Sequence, residues 1–188
     1  MEAFWVSITT VGVAEIGDRT QLLSLVLAAR YRRPWPIILG ILCATLANHG
    51  VAGFVGVWFG SLLKPRALEI VVGVSMIAMA LWTLKPDKLD ESAGPTGAMG
   101  AFLATLTSFF VAEIGDKTQI ATLALAAAYP NLLAVVAGTT AGMLLANVPV
   151  VFMGKAFADR LPLKAIHYIA AALFAVLGIV FLLRALWK

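Results

Sequence analysis

The sequence predicts an all-α integral membrane protein of six transmembrane helices, arranged as two inverted-topology repeats of three helices each. Three observations carry that prediction. Hydrophobic residues make up 61% of the chain and charged residues only 13%, against about 25% charged in soluble domains. Six apolar stretches follow one another, each near the roughly 20 residues that cross a bilayer. The third observation is duplication: a shift of 98 residues lays Val13–Tyr31 on Val111–Tyr129 with 13 identities in 19 positions. An odd number of crossings in each repeat turns the second upside down relative to the first, the plan of many secondary transporters.

The apolar stretches cover residues 3–29, 36–63, 67–84, 100–128, 131–154 and 165–185. Arg30-Tyr31-Arg32-Arg33-Pro34 ends the first, Lys64-Pro65-Arg66 the second, and Tyr129-Pro130-Asn131 the fourth. Asp159-Arg160-Leu161-Pro162 precedes the sixth. Residues 85–99 form the one true linker, carrying Pro, Gly, Ser and most of the loop acids. The expected organisation is therefore a first repeat at 1–84, a cytoplasmic linker at 85–99 and a second repeat at 100–188. The repeat also lays Gly40 on Gly138 and Gly56 on Gly154.

Charge and cysteine usage narrow the function. The net charge of +4 comes from basic residues in ones, twos and threes between apolar runs, which suits lipid headgroups and not nucleic acid. The single cysteine, Cys43, allows no intrachain disulfide and no cysteine-based metal cluster. No basic region precedes the first apolar segment, so that segment is expected to stay as a helix rather than be cleaved as a signal. Loops on one side hold Arg30, Arg32, Arg33, Lys85, Lys88, Lys155, Arg160 and Lys164, and those on the other hold Lys64, Arg66, Arg184 and Lys188. The richer side is expected to be cytoplasmic, leaving both termini outside. The tryptophans Trp5, Trp35, Trp58, Trp82 and Trp187 fall mostly near span ends, as an aromatic belt does.

Within the first and fourth stretches stands the same heptapeptide, Glu15-Ile16-Gly17-Asp18-Arg19-Thr20-Gln21 and Glu113-Ile114-Gly115-Asp116-Lys117-Thr118-Gln119. An ionisable group at such depth costs at least ~2.5 kcal/mol and marks a cavity, a partner or a substrate path. On a continuous helix Glu15, Asp18 and Gln21 share a face, as do Glu113, Asp116 and Gln119. Helices entering from opposite sides bring the two faces to one depth. Four carboxylates with two amide oxygens behind them form an all-oxygen site for Ca2+, Mg2+ or Mn2+. Glu15 with Arg19, and Glu113 with Lys117, have the spacing of ion pairs within a helix. Two negative charges then remain, to be met by protons or by a divalent ion, which makes proton–cation exchange the natural coupling.

The flanking residues admit two roles each. Gly17 and Gly115 either break the helix or let helices approach closely. Thr20, Thr118, Ser24 and Thr122 either donate to carboxylates or bond their own backbone. Asn48 and Asn147, near mid-span and nearly equivalent in the repeat, either complete the site or join helices. His49, aligned with Asn147, is a proton-relay candidate, and His167 an interface residue. A passive cation channel is one competing function. An intramembrane aspartyl protease built on Asp18 and Asp116 is another.

The doubled Glu-x-Gly-Asp-(Lys/Arg)-(Thr/Ser) pattern, at Glu15–Thr20 and Glu113–Thr118, resembles the signature of the Golgi calcium/manganese transporter family and its bacterial manganese exporters. The resemblance spans essentially the whole chain. It implies two inverted repeats, motif acids as cation ligands, and export of Mn2+, or Ca2+ in some members, from the cytosol. No enzyme activity and no cofactor are expected, the ion being cargo. The partners expected are the divalent ion and the bilayer of a bacterial inner membrane.

Overall fold

Helix formation follows the apolar runs, and its interruptions follow glycine and proline. The computed structural model describes residues 1–85, 100–154 and 162–187. Eight α-helices lie among them. The first stretch forms α1 (Glu2–Glu15) and α2 (Arg19–Tyr31), separated at Ile16-Gly17-Asp18. Two long helices follow, α3 (Pro34–Leu62) and α4 (Pro65–Thr83), each begun by a proline in its first turn, where the missing N–H costs nothing. The second half repeats the order: α5 (Ala101–Glu113), α6 (Lys117–Ala128), α7 (Leu132–Met153) and α8 (Leu163–Leu186). Asn131 caps α7, its side chain accepting the Ala134 N–H.

The sequence-based reading differs here. Residues 3–29 and 100–128 are not continuous helices but pairs of 14 and 13 and of 13 and 12 residues. The other four stretches, as Pro34–Leu62, Pro65–Thr83, Leu132–Met153 and Lys164–Leu186, are long and apolar enough to cross a membrane. Most of the linker, together with Lys88, Lys155, Arg160 and Asp159-Arg160-Leu161, lies outside the described residues.

The surface is apolar and the interior holds charge. Phe54, Leu81, Leu133, Val111 and Trp35 are exposed, while Glu15, Asp18, Glu113, Asp116 and Lys117 are buried. A water-soluble fold sorts these residue types the other way. In a bilayer the arrangement is the expected one, because lipid is the solvent for leucine and the protein interior is the only polar refuge.

The halves are joined by exchange. The α1 helix packs along α7, α5 and α6 pack along α3, α4 pairs with α8, and α3 crosses α7. Each broken helix thus lies on the long helix of the other half. Small residues let the backbones approach, as lipid-embedded helices require. A Cβ added at Gly138 would stand 2.6 Å from the Phe4 carbonyl oxygen, and one at Gly40 would stand 2.9 Å from that of Phe102. These are one contact made twice, since 98 residues separate both Gly40 from Gly138 and Phe4 from Phe102. Gly56 and Gly154 have diverged. A Cβ added at Gly56 would stand 2.3 Å from the Leu123 carbonyl oxygen, whereas Gly154 caps α7 with φ +65° and one added there would meet nothing within 4 Å among the described residues.

Candidate cation site

Both helix breaks are built the same way. Gly17 has φ +85° and Gly115 φ +73°, a region that residues with a Cβ enter only at a cost. Among the described residues nothing lies within 4 Å of a Cβ built on Gly115, so backbone conformation, and not close packing, explains that glycine. The Asp18 and Asp116 N–H groups reach back to the Glu15 and Glu113 carbonyls, each at 3.1 Å. The Gly17 N–H donates to Gln21 Oε1, and the Gly115 N–H to Gln119 Oε1, both at 2.8 Å. Gly115→Ala is expected to lower stability by about 1–2 kcal/mol. Gly50→Ala, in open space on regular helix, is expected to be neutral or better. Thermal unfolding of both variants in detergent checks this.

The glutamine oxygens are therefore turned onto the breaks, and not toward the carboxylates as the continuous-helix reading expects. Their amide nitrogens reach into the other half: Gln21 Nε2 donates to the Ala146 carbonyl at 3.0 Å, and Gln119 Nε2 to Asn48 Oδ1 at 3.5 Å. Ala146 and Asn48 are themselves 98 residues apart. Each glutamine thus ties its break to the opposing long helix.

A break also rearranges the charges. Glu15 and Glu113 end α1 and α5, whereas Asp18 and Asp116 precede α2 and α6, so no shared helical face exists. The side-chain ion pairs seen among the described residues are not the expected Glu15–Arg19 and Glu113–Lys117. Arg19 instead reaches Asp116 at 2.9 Å, and Lys117 binds Asp18. Both cations cross to the aspartate of the other motif, because the kink swings each side chain away from the preceding helix. The two pairs are unequal: the Arg19 side chain is 35% exposed and that of Lys117 1%.

What the cations leave behind is the pair of glutamates. Oxygens of Glu15, Glu113 and Asp116 lie within 4.8 Å of one another, all three buried. Asp18, the fourth acid of the predicted set, is bound by Lys117. Thr20 donates to Glu15 Oε2 at 2.5 Å, and Thr118 to Glu113 Oε2 at 3.2 Å. The same hydroxyls stand 3.4 Å and 3.3 Å from Asp18 and Asp116. Of the two roles open to these threonines, the carboxylate-facing one is realised. Thr122 bonds its own backbone at Thr118, and Ser24 donates to Asn147 Oδ1 at 2.7 Å. Asn48 donates to the Phe110 carbonyl at 3.0 Å, which fixes the end of α5 against α3. The remaining oxygens, Glu15 Oε1 and Glu113 Oε1, are buried without a hydrogen-bond partner among the described residues.

Such an arrangement is suited to a cation. Hard divalent ions take carboxylate oxygens, and α1 and α5 also present their carbonyl ends there, which favour positive charge. It is poorly suited to aspartyl proteolysis, in which two aspartates share a proton. Here each aspartate is held by a different cation.

The family profile described as "Divalent cation/proton antiporter GDT1" matches this sequence over residues 3–91 and again over 101–188. The chain belongs to the GDT1 family. A proposed manganese exporter of Vibrio cholerae is 53% identical over 180 residues, covering 95% of this chain and 90% of that one. A GDT1-like protein of Synechocystis is 29% identical over 201 residues, with 96% of each chain covered. A chloroplastic GDT1-like protein of Oryza sativa is 30% identical over 193 residues, 86% of this chain and 56% of its own. No solved structure matches. Membership in GDT1 makes this a cation-transporting membrane protein, in keeping with its apolar exterior and buried acids.

Proposed function

We propose that the protein exports Mn2+ from the cytoplasm of a bacterium in exchange for protons, with Glu15, Glu113 and Asp116 as the ion's ligands. The observation that carries this reading is the pair of buried glutamates left over when Arg19 and Lys117 have paired with the aspartates. Four carboxylates and two cations leave two negative charges. One divalent ion or two protons neutralise them equally, so exchange of one for the other keeps the membrane interior uncharged in both states. Arg19, Lys117, Thr20 and Thr118 orient the acids, and Gln21, Gln119, Asn48 and Asn147 hold the breaks against the long helices. Manganese is favoured by the similarity to the proposed exporter of Vibrio cholerae, with Ca2+ as a second cargo.

In this proposal α1 with α2, and α5 with α6, each make one interrupted span, bringing the total to six. The halves 1–84 and 100–188 are then inverted repeats joined by a cytoplasmic linker, with both termini outside the inner membrane. The twofold match of the family profile and the repeated Gly40 and Gly138 contacts support the duplication, and the excess of basic residues in one set of loops supports the orientation.

Proteoliposomes loaded with a pH dye test the coupling. About two protons are expected to move against each Mn2+, with uphill Mn2+ movement driven by a pH gradient alone. Mn2+ flux that only follows its own gradient and moves no protons overturns the antiport reading and leaves a channel.

A further inference from the structure

One buried side chain beside the acid trio departs from the twofold pattern. His49 in α3 is fully buried, and its Nε2 lies 3.7 Å from Glu113 Oε2. Neither ring nitrogen has a hydrogen-bond partner among the described residues. Its counterpart in the repeat is Asn147, which is fully engaged: Oδ1 accepts from Ser24 at 2.7 Å, and Nδ2 donates to the Met143 carbonyl at 3.0 Å. The asparagine therefore has a structural role that accounts for its burial. The histidine has none, and an imidazole buried without partners costs free energy. Donors bound to one divalent ion at about 2.1–2.5 Å stand about 3 Å apart when adjacent and up to about 5 Å apart when opposite. The 3.7 Å between His49 and Glu113 falls in that range, as does the 4.8 Å limit among the three acids; the imidazole lies outside that mutual group and adjoins it through Glu113.

We propose that His49 supplies a nitrogen ligand to the ion held by Glu15, Glu113 and Asp116, and that this nitrogen selects transition-metal dications over Ca2+ and Mg2+. This rests on the cation-site reading above. Ca2+ and Mg2+ take oxygen donors; Mn2+ also favours oxygen, but as a first-row transition ion it accepts an imidazole nitrogen more readily than they do. A site with four oxygens would leave Ca2+ a strong competitor of Mn2+. Replacing one oxygen by nitrogen, on one side only, weakens the competitor without adding charge. The asymmetry between the halves thus becomes an element of selectivity.

Pulsed electron paramagnetic resonance of Mn2+ bound to the full-length protein in detergent tests this directly. The wild type is expected to show nitrogen coupling from one imidazole, which 15N-histidine labelling shifts. Of the two histidines in the chain, His49 is assigned by loss of the coupling in His49→Asn. In competition binding, that variant is expected to lose at least about tenfold in its preference for Mn2+ over Ca2+. Mn2+ bound to wild type without nitrogen coupling overturns the role of His49 and leaves the carboxylate site standing. Equal weakening of both ions in His49→Asn also overturns it, since that is what a packing role gives. No Mn2+ binding by wild type brings down the cation site itself. The wild-type spectrum decides the question even if the variant does not fold.

Discussion

Glu113→Gln is expected to yield a folded protein that binds Mn2+ at least roughly 30-fold more weakly and transports at background. Removing one member of a buried, closely bonded charge set costs about 2–5 kcal/mol, and 1.4 kcal/mol is a factor of ten. The change is nearly isosteric. The Thr118 hydroxyl that donates to Glu113 at 3.2 Å can donate to the amide oxygen, so the local fold has no reason to collapse. The pH dependence distinguishes loss of charge from general damage. Metal binding requires deprotonated ligands, so affinity rises with pH. If both glutamates release a proton on binding, wild-type affinity should rise up to about 100-fold per pH unit wherever both are protonated in the ion-free protein. With one glutamate made permanently neutral, the slope falls to at most about tenfold per unit. Glu15→Gln should behave alike, because Thr20 holds it as Thr118 holds Glu113. Titration calorimetry at three pH values measures both quantities. Wild-type affinity and slope in either variant would remove the glutamates from the site. Glu2→Gln, at the start of α1 and exposed, is the control.

The residues of the candidate site are legible in the sequence, and their pairing, which is not, has a definite physical cause. The duplicated heptapeptide, its depth in apolar sequence and the surplus of acid over base are properties of composition and order, and they survive folding unchanged. The pairing of charges is different. Spacing rules for Glu15 and Arg19, or Glu113 and Lys117, presuppose an unbroken helix, and one glycine at φ +85° or +73° voids them. Gly17 and Gly115 were the available signal, but a glycine among apolar residues equally suits close packing. Gly138 and Gly40 do pack closely, so residue type alone could not decide. The glutamine contacts are hidden in the sequence for the same reason: a break exposes backbone N–H groups that an intact helix would have consumed, and Gln21 and Gln119 are drawn to them. The sequence marks His49 as a buried candidate but does not show its neighbour. Only the packing of α5 on α3 brings it beside Glu113.

The crossed ion pairs make Lys117→Met the substitution with the largest expected effect on the fold. Lys117 is 1% exposed and binds Asp18, itself buried in the opposite half. Methionine matches its length but leaves a carboxylate without its cation in a low-dielectric interior. Breaking a buried pair from one side costs about 3–5 kcal/mol, enough to prevent stable accumulation of many membrane proteins. Restoring neutrality on the other side should recover most of it. The double variant Asp18→Asn, Lys117→Met is expected to be more stable than Lys117→Met alone by at least about 2 kcal/mol, a coupling typical of residues in direct contact. Thermal unfolding in detergent across the four members of this cycle measures the coupling. Additive effects would mean that Lys117 and Asp18 do not pair. Arg19→Met should cost less, because Asp116 keeps the Thr118 N–H and hydroxyl as hydrogen-bond donors when the arginine is gone. The unequal cost separates two roles in one site. The sealed Lys117–Asp18 pair joins the two halves, while the Arg19–Asp116 pair, whose aspartate also belongs to the acid trio, is the one expected to yield in the proposed mechanism when an ion enters. The double variant should therefore keep measurable Mn2+ binding after its fold is restored, because Glu15, Glu113 and Asp116 are untouched.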